Sequence, residues 1–368
     1  GVRVTASHNP AKYNGYKVYG NDGCQLTLEA AEAVLAKINA IDIFDGVKST
    51  DFDKAVADGM ISFIGDDVID AYMAKVKEQG LHTDLVASSG LKVVYTPLNG
   101  TGNKPVRRIL REIGVKDVVV VPEQENPDGN FPTCPYPNPE TEAAFDEAKK
   151  CIAAEGSPNY DVVIATDPDA DRVAIAVPTE NGLQRFSGNE LGCMLLEFIL
   201  NNRLRQGTLP EHSKCIKSIV TTPMVLNIAE RYGCENIDVL TGFKYIGSTI
   251  LGLEQKGREN EVVFAFEESC GFLKGTYARD KDAQIACVLV CALAASCKLE
   301  GVSIAENMQR LYETYGYYKT QVVSVELDGE AGKQRCSTFI DSLRDNCPGE
   351  IAGLQVKTVA DYKLGVEK

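Results

Sequence analysis

Along this chain short apolar runs alternate with longer stretches in which apolar residues recur at helical spacing. Val2 to Val4 reads as a strand that ends at Thr5-Ala6-Ser7-His8-Asn9-Pro10. Pro10 removes a donor and restricts Asn9, so Ser7 is expected on a turn. Tyr16 to Tyr19 reads as a second strand and Asn21-Asp22-Gly23 as its turn, and the helical period follows over Leu28 to Ile38 and Asp66 to Lys77. The polar stretches Gln79-Gly80 and Ala87-Ser88-Ser89-Gly90 mark a boundary. The next unit has a strand over 91–97, a turn over 98–102, a helix from Lys104 to Ile113 and a strand from Val118 to Val121. A proline-punctuated connection over 128–139 leads into a helix from Glu140 to Ala153. Strands over Tyr160 to Ala165 and Arg172 to Val177 then flank an acidic loop. From Ser187 the pattern gives a helix over Glu190 to Arg203 and a further alternation: Ile216 to Val220, Val225 to Tyr232, Val239-Leu240, Ser248 to Gln255 and Val262 to Ala265. The run Ile285 to Cys297 reads as a buried helix. The tail holds one strand (322–327), one helix (332–343) and a loose end (356–362). Strand, helix, strand in repetition predicts the α/β class, built as consecutive α/β/α units with mixed sheets and a cleft at their junction. The expected division is 1–86, 87–186, 187–318 and 319–368.

Composition narrows the partners. With 368 residues and 44% hydrophobic content the chain buries a large core, and a formal charge of −14 without a basic stripe argues against nucleic acid. The 12 cysteines include no Cys-x-x-Cys, a reduced and cytoplasmic pattern. His8, His82 and His212 are too far apart to suggest a zinc site. The Ile285 run is too short to span a membrane, so no membrane partner is expected. The chain starts inside a strand and without an initiator methionine, as a piece of something longer would.

Four segments carry candidate chemistry. Ser7 is followed by His8, with Lys17 beyond the turn, a setting that can activate a hydroxyl. Asp167-Pro168-Asp169-Ala170-Asp171-Arg172 places three carboxylates at alternating loop positions, where their repulsion calls for a divalent cation. The calcium-loop pattern fails, because Arg172 and Pro178 stand where a glycine and a glutamate belong. Three carboxylates leave coordination positions open, as magnesium sites do. Phe266-Glu267-Glu268-Ser269-Cys270-Gly271 brings acceptors to the end of an apolar strand, a chemistry suited to sugar hydroxyls. Thr241-Gly242-Phe243-Lys244 and Ala278-Arg279-Asp280-Lys281 read as loops that each offer a lysine to a phosphate. The Gly100-x-Gly102 pair lacks the third glycine of a dinucleotide fingerprint and reads as a tight strand-to-helix turn.

Taken in order, T-A-S-H-N-P, D-P-D-A-D-R, T-G-F-K-Y-I-G and E-E-S-C-G resemble the α-D-phosphohexomutase superfamily, and D-G-N-F-P-T with P-N-P-E is similar to its second domain. The resemblance implies a phosphoserine enzyme that moves a phosphoryl group between the 1- and 6-positions of a hexose, closest to phosphoglucomutase. It implies a phosphate carried on Ser7, and Mg2+ held by Ser7, Asp167, Asp169 and Asp171. Arg172 would reach the phosphate, and His8 and Lys17 would handle proton and charge. Thr241, Gly242, Lys244, Glu267, Ser269 and Lys281 would hold the substrate. The implied partners are glucose 1-phosphate, glucose 6-phosphate and glucose 1,6-bisphosphate. Phe272 stands where other branches usually carry a histidine, and phosphomannomutase and phosphopentomutase activities stay open, as does a non-catalytic phosphosugar-binding fragment. On this resemblance 1–86 is the phosphoserine domain, 87–186 the metal domain, 187–318 the sugar domain and 319–368 the start of a fourth. Neither the family's Gly-Thr-x-Gly-x-Arg start nor its distal-phosphate loop is found, for Ser187-Gly188-Asn189-Glu190 only mimics the latter. The match is therefore expected to be to the middle of a longer enzyme.

Overall fold

A computed structural model describes residues 1–154, 160–320, 325, 327, 329–362 and 364–367. They form two compact units, Gly1–Tyr318 and Lys319–Lys368.

The first unit opens with an antiparallel pair, β1 (Val2–Val4) and β2 (Tyr16–Val18), whose register sets Arg3 opposite Lys17. Four helices follow: α1 (Leu28–Asn39), α2 (Phe52–Ala57), α3 (Asp66–Glu78) and α4 (Thr83–Ser89). The polar residues Ala87 to Ser89, expected to be a connection, are helical. Val86 on the same short helix is buried in the core, and the helix stops at Gly90 with φ 61°.

Five strands build the first large sheet: β3 (Lys92–Thr96), β4 (Asp117–Val120), β5 (Val162–Thr166), β6 (Val173–Thr179) and β7 (Gly182–Arg185). Their order is β4-β3-β5-β6-β7, with β3 parallel to both neighbours and β6 and β7 antiparallel additions. Helix α5 (Asn103–Glu112) links β3 to β4, and α6 (Asp146–Ala154) precedes β5. The helix expected from Glu140 starts later because Asn138 caps its own chain: its Oδ1 accepts from the Glu140 amide at 2.9 Å, and the Thr141 hydroxyl donates to its carbonyl at 2.9 Å.

Helix α7 (Gly188–Arg205) leads to the second sheet. Ser187 and Glu190 form a reciprocal capping box at its start, and this is the physical role of the stretch that mimicked a phosphate loop. The sheet contains β8 (Lys214–Ser218), β9 (Glu235–Val239), β10 (Val262–Glu267) and β11 (Gly271–Leu273) in the order β11-β10-β8-β9. Helix α8 (Met224–Arg231) connects β8 to β9, and α9 (Phe243–Glu254) connects β9 to β10. Lys244 thus stands in the first turn of a helix rather than in a loop. Gly242, at φ 117°, marks the break before it.

Helix α10 (Ala283–Glu300) is the central pillar and α11 (Ile304–Tyr315) closes the unit. By length and composition α10 could cross a bilayer, yet 78% of it is buried inside the protein against both sheets' helices. Cys287 and Cys291 are unpaired thiols in that core. Strands β7 and β11 and helix α11 have no counterpart in the sequence reading, although Ser303-x-x-Glu306 is a capping box legible as such.

The second unit holds α12 (Gly329–Asp345) and two short antiparallel pairs, β12 (Glu350–Ile351) with β13 (Leu354–Gln355), and β14 (Ala360–Asp361) with β15 (Val366–Glu367). The loose end expected over 356–362 thus contributes a strand. The strand expected over 322–327 lies largely outside the described residues.

Candidate active site

The acidic loop is the connection between β5 and β6, so it projects from the carboxyl end of a strand that is parallel to its neighbour. Ala170 at its tip has φ 56°. The loop is docked on the turn after β3: the Thr101 amide and hydroxyl both donate to the Pro168 carbonyl, at 2.8 and 3.0 Å. Gly100 permits this approach, since a Cβ there would lie 2.3 Å from Pro168 Cα. Gly100 therefore serves the acidic loop, while Gly102 makes room for the Tyr95 and Thr166 hydroxyls.

Ser7 reaches the loop from the β1–β2 connection. Its own φ is 53°, and its amide donates to Thr5 Oγ1 at 2.8 Å, which fixes the turn. The Ser7 hydroxyl lies 3.3 Å from Asp167 Oδ2, 3.4 Å from Asp169 Oδ1 and 3.2 Å from His8 Nδ1. The three aspartates can each turn one oxygen toward a common point within 4.8 Å of the others.

Hydrogen bonding divides the six carboxylate oxygens into two sets. Asp167 Oδ1 accepts from the amides of Asp171 and Arg172 at 3.0 and 2.9 Å. Asp169 Oδ2 takes Arg3 at 2.7 Å, the Thr5 hydroxyl at 3.1 Å and Lys17 at 3.7 Å. Asp171 Oδ2 takes Lys17 at 3.0 Å, and Arg3 and Lys281 each at 3.4 Å. What remains is Asp167 Oδ2 and Asp169 Oδ1, both facing the Ser7 hydroxyl, and Asp171 Oδ1, which is buried without a partner among the described residues. One hard oxygen from each aspartate plus a serine oxygen is a donor set that fits a small divalent cation and leaves room for further oxygens.

The electrostatics agree. Burial, then the charges of Asp171 and Asp169, push the Asp167 carboxyl well above its usual range, so a cation there would relieve a real penalty. Burial alone would also raise Asp171, but Lys281, Lys17 and Arg3 reverse the sign and bring it down to about 2. Burial opposes the charge on Lys17 too, and Asp171 and Asp169 outweigh it, so the ammonium is held above its ordinary value. For His8 burial comes first and the Arg172 charge second, and together they lower it to about 4. The imidazole is neutral at physiological pH.

Other expected site residues stand further off. Arg172 donates to Glu140 Oε1 at 3.1 Å, not to Ser7. Glu267 is buried and accepts from the Gly242 amide at 2.7 Å; burial raises its carboxyl, and Lys281 and that amide oppose the shift. Ser269 lies in the tight turn between β10 and β11, Thr241 is exposed, and Lys244 stacks over the Tyr245 ring at 5.0 Å. A cleft of about 770 Å3 has Arg3, Asp169, Asp171 and Lys281 in its walls, and one of about 380 Å3 holds Ser7. Thr241, Gly242, Lys244, Glu267 and Ser269 line neither. The two groups are nevertheless joined through the backbone. Arg172 bridges Gly271, and the Val173 amide donates to the Cys270 carbonyl at 3.0 Å, so the acidic loop and the Glu267 turn form one construction. Gly271 lacks the side chain that would block Lys281, whose Cδ lies 2.5 Å from where a Cβ would be.

Sequence reasoning missed Arg3, and it gave no individual role to Thr5 or Glu268 within the segments it singled out. Arg3 was legible: once the two opening strands are paired, it sits opposite Lys17 and must share its face. Glu268 stood in the Glu267-Glu268-Ser269 run, but its partners did not show locally: it accepts from Ser218 at 2.7 Å and Thr221 at 3.2 Å, about 50 residues away.

Sequence models described as phosphoglucomutase/phosphomannomutase alpha/beta/alpha domains I, II and III match residues 1–43, 70–182 and 187–315 in that order. A phosphoglucomutase of Staphylococcus saprophyticus is 34% identical over 366 residues, covering 99% of this chain and 64% of that protein. One of Staphylococcus aureus is 35% identical over 369 residues, covering 98% and 63%. The chain thus spans less than two thirds of the length of these curated relatives. A crystal structure of a putative phosphomannomutase from Thermus thermophilus shares the fold, with a TM-score of 0.65 at 22% identity over 86% of this chain and 63% of that one.

Proposed function

This chain belongs to the phosphoglucomutase/phosphomannomutase family, and from that premise we propose that it carries the phosphoserine, metal and sugar-loop parts of an enzyme that interconverts glucose 1-phosphate and glucose 6-phosphate. The observation that carries the reading is the Ser7 hydroxyl, 3.3 and 3.4 Å from carboxylate oxygens of Asp167 and Asp169 and backed by three cationic side chains, Arg3, Lys17 and Lys281. Phosphoryl transfer depends on positioning and charge neutralisation more than on covalent invention, and this cluster is built for both.

In this proposal Ser7 carries a phosphoryl group. A sugar hydroxyl attacks, the P–Oγ bond breaks as the new P–O bond forms, and the proton of that hydroxyl ends on the serine oxygen. Neutral His8, with Nδ1 at 3.2 Å from Oγ, is placed to relay the proton. Lys17, kept cationic by Asp171 and Asp169, holds charge near the transferred group, and Arg3 fixes the two carboxylates. Magnesium held by Asp167, Asp169, Asp171 and Ser7 would supply Lewis-acid neutralisation of the phosphate oxygens. Glu267 and Ser269 take the sugar hydroxyls, Lys281 sits between the two halves of the site, and Thr241, Gly242 and Lys244 open the wall beyond Glu267. Arg172 would leave Glu140 for the phosphate once one is present. A glucose 1,6-bisphosphate intermediate turns over within the cleft, because each end of the sugar must meet the same serine. The domain division is proposed at 86, 186 and 318, and the setting is a reducing cytoplasm, which suits buried thiols such as Cys287.

The test is a coupled assay of glucose 6-phosphate formed from glucose 1-phosphate with magnesium. Ser7→Ala should lower the rate ~1000-fold or more. Phosphopeptide mapping to another serine, with Ser7→Ala still active, would overturn the assignment. Mannose 1-phosphate and ribose 1-phosphate run in parallel identify the preferred sugar.

A further inference from the structure

Strands β8 and β10 begin at Lys214 and Val262, and β11, running the other way, ends at Leu273. Lys274 therefore leaves the second sheet at the end opposite the Glu267 turn. At this end is a separate cleft of about 770 Å3, with Gln79, Arg203, Thr208, Glu259 and Lys274 among its walls. Lys274 is only 7% exposed, and its ammonium has no hydrogen bond or ion pair with any described residue. A buried charge without a partner is costly, and folded proteins seldom leave one unless something else meets it.

The neighbour that acts on Lys274 is another cation. Burial and then the Arg203 charge push the ammonium down to about 8, and burial lowers the Arg203 guanidinium as well. Arg203 spends Nε and Nη2 on the Thr208 carbonyl, at 3.2 and 2.9 Å, and Nη1 has no protein partner among the described residues. Two of the three acidic side chains on the same walls are engaged elsewhere: Glu78 pairs with Lys75 at 2.9 Å, and Glu261 with Arg258 at 2.8 Å and Lys214 at 3.5 Å. The third, Glu259, has its Oε2 buried without a hydrogen-bond partner among the described residues and pairs with neither cation. Two half-buried or buried cations face one cleft, and neither has an ion-pair partner among the described residues.

We propose that this cleft binds a small phosphate-type anion, inorganic phosphate or a phosphomonoester, between the Lys274 ammonium and the Arg203 guanidinium. The pair supplies a point charge and a planar fork, the combination that suits tetrahedral oxyanions. Neither cation belongs to the Ser7 cluster, although this cleft and the one beside Asp171 share Thr276 and Tyr277 as lining. Lys274 follows β11 directly, so a ligand there bears on the strand whose other end, Gly271, holds the Glu267 turn to the acidic loop.

Calorimetric titration of the full chain with inorganic phosphate tests the idea, with Lys17→Met to weaken phosphate binding at the Ser7 cluster, where Arg3 and Lys281 remain. The Lys17→Met protein should still bind one phosphate saturably. Adding Lys274→Met should weaken that event at least tenfold, and Lys274→Arg should retain most of it. Arg203→Gln provides a second route should Lys274→Met fail to unfold cooperatively. A parallel titration with methyl phosphate separates the two sources: binding of both ions identifies a phosphomonoester site, and binding of the inorganic ion alone a phosphate site. Absence of saturable binding to Lys17→Met up to about 10 mM, or unchanged binding after Lys274→Met, would overturn the proposal.

Discussion

Among single residues, the division of carboxylate oxygens has the most direct consequences. Asp169 gives Oδ2 to Arg3, Thr5 and Lys17 and keeps Oδ1 toward Ser7, so Asp169→Asn preserves shape while removing charge from the proposed metal set. Magnesium affinity measured by calorimetry should fall ~10-fold or more, and an unchanged affinity would refute the assignment. The pH dependence has a defined sign. Asp167 is held above its usual range, so as pH falls it takes a proton before an ordinary aspartate would, and that proton competes with the cation. Magnesium binding should therefore begin to weaken, as pH is lowered, above the range in which an ordinary aspartate takes its proton. Ser7, Lys17 and the three aspartates were legible in the sequence because each stands in a short run whose chemistry is local. Arg3 was legible only through the pairing of two strands, and Glu268 only as one acceptor of a polar run whose distant partners the sequence does not show.

At the level of elements, the two hairpin turns and the strand-to-helix turn behave as one piece. Gly100→Ala would place a Cβ 2.3 Å from Pro168 Cα, so the acidic loop must retreat. A loss of about 1–3 kcal/mol in urea melts is expected, together with weaker magnesium binding. A surface-like effect below about 0.5 kcal/mol would show that the loop does not depend on this approach. Lys274 gives the opposite sign. Its folded value, about 8, lies below the ordinary 10.5 of an unburied lysine, so the unfolded chain binds more protons between these values and stability rises with pH across that window. The penalty is fully present below pH 8 and disappears as pH approaches the unfolded value. Lys274→Met should thus stabilise the protein by about 1–3 kcal/mol at pH 7, and the gain should vanish near pH 10.5. Element positions were readable wherever apolar periodicity ran long, as in α3, α7 and α10. They were misread where a side chain redirected the backbone, as Asn138 does before α6, or where tertiary burial made a polar stretch helical, as in α4.

For the molecule as a whole, every residue of the candidate site falls within Gly1–Tyr318, the larger compact unit. A chain ending at Tyr318 should therefore keep its magnesium affinity within about threefold, and a loss beyond tenfold would show that residues after Tyr318 contribute to the metal set. Much of this protein was decided by sequence alone. Alternating strand and helix periods determined the α/β class, Asp167, Asp169 and Asp171 determined a cation-seeking loop through their mutual repulsion, and Pro10 determined the turn that presents Ser7. Tertiary structure decided how these pieces meet. Only the folded chain brings Ser7 within 3.4 Å of aspartates 160 residues away, sets Arg3 and Lys17 on one face against Asp171, and ties the acidic loop to the Glu267 turn through Arg172 and Gly271. The reason is range. Periodicity and turn chemistry act over a few residues, whereas the assignment of each carboxylate oxygen depends on contacts between strands from different sheets, which packing alone selects.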